Sequence, residues 1–124
     1  LCEESLRLAR DHGDAGATGW ALRNLALLAH YEQDDPQAIT LYRECLAIFG
    51  AVGQPFGIAL SLLGLVQAMG TDLPPQAAAQ LLSAATARSQ EVPDAHMDQF
   101  DRRILDQLVV TTRARLGDAA FARA

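Results

Sequence analysis

Apolar residues recur every three to four positions along most of the chain, which is the spacing of one face of an α-helix. Gly, Pro and Asp residues, which commonly end or begin helices, interrupt this spacing at intervals. The pattern predicts repeat helices over residues 1–11, 18–32, 36–49, 55–69 and 75–90, and an atypical terminal helix over 95–116. The predicted fold class is therefore all-α.

Particular residues set the predicted boundaries. Residues 13–16 are expected to form a turn, with Gly13 ending the first helix, and Gly50 or Gly53 is expected to end the third. Asp35 is predicted to cap the third helix, because a carboxylate at this position accepts hydrogen bonds from unpaired backbone N–H groups. The same spacing predicts a buried stripe on every helix.

The chain also repeats itself with a spacing of 40 residues. Residues 1–8 (LCEESLRL) correspond to residues 41–48 (LYRECLAI), and Leu22 corresponds to Leu62. Periods of this size mark arrays of helix pairs, and neighbouring pairs stack because one pair cannot bury its apolar face alone. The prediction is one domain over residues 1–124: a right-handed stack of antiparallel helix pairs, with about six helices and a truncated seventh.

The sixth predicted helix departs from the repeat. Arg102 and Asp106 stand where a leucine and a valine stand one repeat earlier, as expected of a terminal unit that shows a polar side to water. Phe100 is among its predicted inward residues, and Leu28 among those of the second helix. Gly117 is predicted to end the sixth helix, and Asp118 to begin a truncated seventh.

Composition narrows the possible functions. The chain has 15 acidic and 10 basic residues, a net charge of −5, and no lysine, since all ten basic residues are arginine. Nucleic-acid affinity comes largely from basic side chains, so direct binding to nucleic acid is not expected. The absence of lysine excludes a Schiff-base nucleophile and a phosphate loop that ends in Gly-Lys-Ser/Thr. No catalytic residues and no cofactor are predicted.

The spacing of the cysteine and histidine residues predicts no metal site. Cys2 and Cys45 lie far apart, as do His12, His30 and His96, and none has the short spacing of zinc ligands. No run of about 18 to 20 apolar residues or charged-then-apolar leader occurs. We therefore expect a cytoplasmic protein without a membrane segment, and we interpret the chain as a fragment of a larger protein.

One set of residues resembles a known repeat family. The first full helix pair carries, in order, Leu22, Leu25, Ala26, Ala38, Tyr42 and Cys45. This order and spacing resembles the tetratricopeptide repeat, which has Leu-x-x-Leu-small in one helix and small-x-x-x-aromatic in the next. In the second copy, Val66 and Leu82 replace the usual small and aromatic residues. The period of 40, against about 34 in that family, implies slightly longer helices.

A second resemblance covers the whole chain. The phrases over residues 41–49 (LYRECLAIF) and 113–121 (RARLGDAAF) look like the C-terminal repeats of large bacterial transcriptional regulators, of the LuxR type and related ATPase-containing types. This resemblance implies a parent protein in bacterial signal transduction, with nucleotide-binding and DNA-binding modules outside these residues.

In a stack of this kind, the first helix of each pair lines the concave side. The residues predicted to line it are Trp20, Arg23, Leu27, His30, Leu60, Leu63 and Gln67. Trp and Arg are enriched at protein-binding hot spots. The main prediction is therefore a non-catalytic protein–protein interaction or signal-sensing module, whose partner is a protein, a peptide or another part of the parent chain.

Two alternatives stay open on the sequence. The fourth helix, residues 55–69, carries no charge, so it must be covered on all sides by other helices or by a second molecule. The second possibility predicts a homodimer. The other alternative is a sensor of small molecules, with the effector held between Trp20, Leu27, Leu60 and Leu63.

Overall fold

The computed structural model describes residues 2–91 and 99–117, and this part of the chain contains six α-helices, one 3-10 helix and no strand. The helices are α1 (Cys2–Asp11), α2 (Ala15–Tyr31), α3 (Asp35–Val52), α4 (Pro55–Met69), α5 (Pro75–Gln90) and α6 (Gln99–Leu116), with the 3-10 helix at Gly70–Asp72. The all-α fold class is confirmed. The predicted helical residues 95–98 and the predicted seventh helix after Gly117 lie outside the described residues. None of the described helices is long and apolar enough to cross a membrane.

Four consecutive helices begin 20 residues apart, at Ala15, Asp35, Pro55 and Pro75. The connections before α2, α3 and α4 share one geometry. Each has a residue with positive φ, namely Gly13 (67°), Gln33 (64°) and Gly53 (69°). The residue that follows donates its N–H to the carbonyl five positions earlier, at 2.8 to 3.0 Å, and its side chain caps the next helix. The 40-residue repeat of the sequence therefore consists of two 20-residue steps, each one helix and one connection of the same type.

These shared connections correct two sequence predictions. Asp34, rather than Asp35, caps α3, because its carboxylate accepts a hydrogen bond from the backbone N–H three residues later, at 3.3 Å. Asp14 does the same for α2 at 3.0 Å, so α2 begins at Ala15, within the predicted turn at 13–16. An aspartate one residue before the first helical position accepts a hydrogen bond from a backbone N–H of the first turn, which would otherwise have no partner.

Helix α4 lies at the centre of the packing. It contacts α3 and α5, its neighbours in the chain, and also α2 and α6. Ten of its 15 residues are buried. The prediction that the uncharged helix is covered on all sides is confirmed. The chain's own helices supply this cover, so the absence of charge in α4 no longer requires a second molecule.

Two aromatic side chains of α3 lie directly on glycines of the neighbouring helices. Tyr42 and Phe49 are the largest fully buried side chains in the described part of the chain. A methyl group added to Gly64 of α4 would come within 2.2 Å of the Tyr42 ring. At Gly57 of α4 and Gly19 of α2, it would come within 2.5 and 2.7 Å of the Phe49 ring. The absence of Cβ atoms at these glycines therefore sets how closely α3 approaches α2 and α4.

Two inward-facing predictions were wrong. Leu28 of α2 and Phe100 of α6 are both exposed at the surface. In α1, Ala9 is buried and Leu8 is exposed. Helical spacing identifies which residues share one face of a helix. It does not show where the neighbouring helix ends, and the burial of these side chains depends on that.

Candidate functional site

The side chains predicted to line a groove lie in several environments. Leu60 and Leu63 are only 4% and 2% exposed, and they belong to one core cluster with Leu105 of α6. Trp20 is partly buried against the same cluster. The structure therefore places Leu60 and Leu63 in the core, out of reach of a partner in this conformation. Of the four residues suggested to hold a small-molecule effector, Trp20, Leu60 and Leu63 pack together in this cluster.

Trp20 is held by the aromatic residues around it. Its ring centroid lies 4.9 Å from that of Phe49 on α3, in an edge-to-face arrangement at 61°. The ring of Phe56 on α4 lies 6.5 Å away and is tilted. Edge-to-face pairs at such distances stabilise aromatic clusters beyond the burial of their area. Trp20 therefore joins α2 to α3 and α4.

Arg23 forms a largely buried ion pair between α2 and α6. Its Nη2 donates a hydrogen bond to Oδ1 of Asp101, which lies in the first turn of α6, at 2.6 Å. The two side chains are 15% and 5% exposed. The Nε of Arg23 is also buried and has no hydrogen-bond partner in the described part of the chain. Loss of the Asp101 carboxylate would leave the guanidinium of Arg23 largely buried without this charge beside it.

Two buried protic groups of α3 lie close to this pair. Burial raises the pKa of Tyr42 to about 12, while the Arg23 guanidinium lowers this pKa and the Asp101 carboxylate raises it by smaller amounts. Burial likewise raises the pKa of the Cys45 thiol to about 12, and the thiol donates to the carbonyl oxygen of Gly19 at 3.5 Å. Both groups are neutral at physiological pH. A reactive thiolate at Cys45 is therefore disfavoured.

The raised pKa values predict a loss of stability in alkali. In the unfolded chain, Cys45 and Tyr42 ionise near their ordinary pKa values of 9 and 10, whereas in the folded chain they ionise only near 12. Their stabilising effect is complete below pH 9 and is lost as the pH rises through 12. Since one pKa unit corresponds to about 1.4 kcal/mol, we expect the free energy of unfolding to fall by several kcal/mol between pH 9 and 12.

Urea unfolding followed by circular dichroism at pH 8, 9.5 and 11 measures this loss. The double variant Tyr42→Phe/Cys45→Ala lacks both groups and should show a flatter dependence on pH, whatever its stability at pH 8. Equal slopes for the variant and the natural sequence would contradict the assignment of the effect to these two side chains.

The three remaining predicted groove residues, His30, Leu27 and Gln67, have different surroundings. Nδ1 of His30 lies 2.6 Å from Oδ1 of Asp35, so His30 joins the end of α2 to the first turn of α3. Its ring also meets that of Tyr31 edge-to-face, with centroids 5.4 Å apart. Leu27 and Gln67 are partly buried.

An exposed apolar surface lies where α2 meets α6. Tyr31 and Phe100 are 54% and 45% exposed, and their ring centroids are 6.1 Å apart. Leu28, also exposed, lies one helical turn before Tyr31 and therefore on the same side of α2. We refer to Leu28, Tyr31 and Phe100 as the α2–α6 edge. Sequence reasoning missed this surface, because the spacing within one helix does not show which residue of a distant helix lies beside it.

No protein-family model, curated protein or solved structure matches the chain. What the structure establishes is an all-α protein, with an ion pair and an aromatic pair between α2 and α6. Among the described residues, no three His, Cys, Asp or Glu side chains come together as a candidate metal site.

Proposed function

We propose that this protein is a non-catalytic protein-binding module of helical-repeat type, and that the α2–α6 edge is part of its contact surface. The exposed pair of Tyr31 and Phe100 carries this proposal. Aromatic side chains are enriched in protein–protein interfaces, where they bury a large area at little conformational cost. Contiguous exposed apolar residues on a soluble domain commonly mark such sites.

The arrangement of the helices supports the repeat part of the proposal. Helix starts at 20-residue intervals, the common connection geometry and the contacts of α4 with both α2 and α6 are those expected of antiparallel helix pairs stacked side by side. We propose a right-handed stack of the tetratricopeptide-like kind. An extended surface is the usual product of such stacking.

The context of the module is part of the same proposal. Its phrases resemble the C-terminal repeats of bacterial transcriptional regulators, which favours a cytoplasmic role as a sensing or scaffolding segment of such a regulator. The partner would then be a protein, a peptide or another part of the parent chain. The acidic net charge of −5 gives no support for direct contact with nucleic acid.

A comparison of two surface variants tests the proposal. Tyr31→Ser/Phe100→Ser removes the aromatic pair, and Val52→Ser changes an exposed apolar residue at the end of α3. Affinity capture from extracts of the source cells, quantified by mass spectrometry, should recover a partner with the natural chain and the Val52 variant, but not with the double variant. With the purified partner, calorimetry should show binding at least tenfold weaker for the double variant.

Surface substitutions usually change stability by no more than about 0.5 kcal/mol, so the thermal unfolding of both variants should stay near that of the natural chain. Undiminished binding by a folded Tyr31→Ser/Phe100→Ser variant would contradict the role of this edge.

A further inference from the structure

The face that α6 turns toward the protein combines polar and apolar side chains, since Ile104, Leu108 and Val109 pack against the same core cluster that contains Leu105. Asp101, Leu105 and Thr112 are its buried residues, and Leu108 is partly buried. These four positions are spaced by four, three and four residues, so they form a single helical face. Two of the three buried residues are polar. Near its end, α6 is held by another polar contact, in which Arg115 donates to the carbonyl oxygen of Leu73 at 3.0 Å.

The surface that receives this face is formed by α5 and α4, with Trp20 and Arg23 of α2 at its side. Leu60 and Leu63 contribute its apolar part, in one cluster with Leu105, and Trp20 packs against that cluster. Arg23 contributes a positive charge that the carboxylate of Asp101 neutralises. These are four of the seven residues that sequence spacing placed on one side of the predicted stack. Helix α6 therefore occupies the predicted groove, with its charge and its leucine matched to the groove's arginine and leucines.

The charged part of this contact adds little to the attachment of α6. A buried ion pair gains little net stability, because its attraction is offset by the cost of removing both charges from water. The Nε of Arg23 is buried without a hydrogen-bond partner in the described part of the chain, which leaves a further cost with α6 in place. A helix that brought a similar carboxylate and leucine would make the same contacts, and it would displace α6 where the attachment of α6 to its own chain is weakened.

We propose that α6 is an internal occupant of a binding site for a helix of another protein. The ligand is an amphipathic helix with an acidic residue four positions before a leucine, matching Asp101 and Leu105. The carboxylate pairs with Arg23, and the leucine packs with Leu60 and Leu63. This inference rests on the proposed protein-binding function, but it concerns the surface beneath α6 rather than the α2–α6 edge.

The probe for this chemistry is a fluorescein-labelled peptide of residues 99–116, whose binding to the full chain is measured by fluorescence anisotropy. The chain variant Leu105→Ala weakens the attachment of its own α6, and we expect it to bind the peptide at least tenfold more tightly than the natural chain. The chain variant Asp101→Asn weakens the same attachment through the ion pair. It should behave similarly, and it serves as the second variant should Leu105→Ala not fold.

The charge pair supplies the specificity control. The peptide variant Asp101→Asn should bind the Leu105→Ala chain at least tenfold more weakly than the natural peptide. The converse test uses a chain that carries both Arg23→Asp and Leu105→Ala. The peptide variant Asp101→Arg should bind this chain more tightly than the natural peptide binds it. This exchange of preference tests the ion pair between position 23 of the chain and position 101 of the peptide, and it distinguishes that ion pair from nonspecific binding of an apolar peptide.

Three outcomes would overturn the proposal. The first is that the peptide, at several hundred micromolar, does not bind to folded chains of the Leu105→Ala or the Asp101→Asn variant. The second is binding that does not depend on the charge at peptide position 101. The third is sedimentation showing that the natural chain dimerises by exchange of α6, since the occupant would then be a second copy. In each case, the test of Tyr31 and Phe100 still decides the proposed function separately.

Discussion

Replacing Gly64 by alanine is expected to lower the free energy of unfolding by about 3 kcal/mol, near the upper end of what overpacking costs. The new methyl group would come within 2.2 Å of the Tyr42 ring, a distance that real Cβ atoms do not adopt. Tyr42 is fully buried, so its ring has no solvent space to move into. Relief of the clash therefore requires α3 and α4 to move apart. Urea unfolding followed by circular dichroism measures the change.

Gly50→Ala is the matched control for this substitution. Gly50 also lies within a helix, but a methyl group there meets nothing within 4 Å. Because glycine costs roughly 0.5 to 1 kcal/mol relative to alanine inside a helix, Gly50→Ala should leave stability unchanged or raise it by up to that amount. Equal effects of the two substitutions would show that the Tyr42–Gly64 contact does not set the helix separation.

Replacing Asp101 by asparagine is expected to cost about 3 kcal/mol in the packing of α6, because it leaves the Arg23 guanidinium in a buried position without its carboxylate. A double-mutant cycle with Arg23→Met and Asp101→Asn measures the coupling. The double variant should recover part of the loss, since it buries no unpaired charge. Chemical unfolding gives the global stability, and hydrogen exchange of α6 amides gives the local part.

The ion pair between Arg10 and Glu44 is the control for solvent exposure. Its atoms are 3.0 Å apart, but the two side chains are 52% and 45% exposed. Surface pairs contribute little, so Glu44→Gln should change stability by no more than about 0.5 kcal/mol. A similar cost for Glu44→Gln and Asp101→Asn would contradict the importance given to burial.

The all-α fold class was predictable because its main determinants are local. Apolar spacing identified the six helices that lie within the described residues, and the uncharged run over 55–69 identified the helix that lies at the centre. The 40-residue repeat was visible, but its division into 20-residue steps was not. That division depends on backbone conformation, and at Gln33 a positive φ occurs in a residue whose type gives little indication of it.

The candidate site was less predictable because it depends on contacts between distant segments. Arg23 was singled out from the sequence, but its partner Asp101 is 78 positions away, on a helix that breaks the repeat register. Leu60 and Leu63 were expected to line an open groove, and the structure buries them in a cluster with Leu105. Helical spacing indicates which way a side chain points, whereas the burial of that side chain depends on where another helix packs.

The glycine contacts of α3 illustrate the same limit. Ala38 and Cys45, which the sequence placed in the repeat pattern, are fully buried. The nearest approach nevertheless involves Gly57 and Gly64, within a run that the sequence showed only as uncharged. Their role follows from the aromatic rings of the facing helix, which lie 8 positions (Phe49 from Gly57) and 22 positions (Tyr42 from Gly64) away in the chain and are aligned by the tertiary fold.

Native-state hydrogen exchange, measured amide by amide, tests most directly whether α6 is a separately attached occupant of the surface formed by α2, α4 and α5. We predict that α6 amides exchange through an opening of lower free energy than those of α3 and α4. In Leu105→Ala, α6 should exchange at least tenfold faster, while α3 and α4 keep their protection. A common opening free energy for α4 and α6, in both proteins, would contradict the account, because α6 would then separate only when the whole fold is lost.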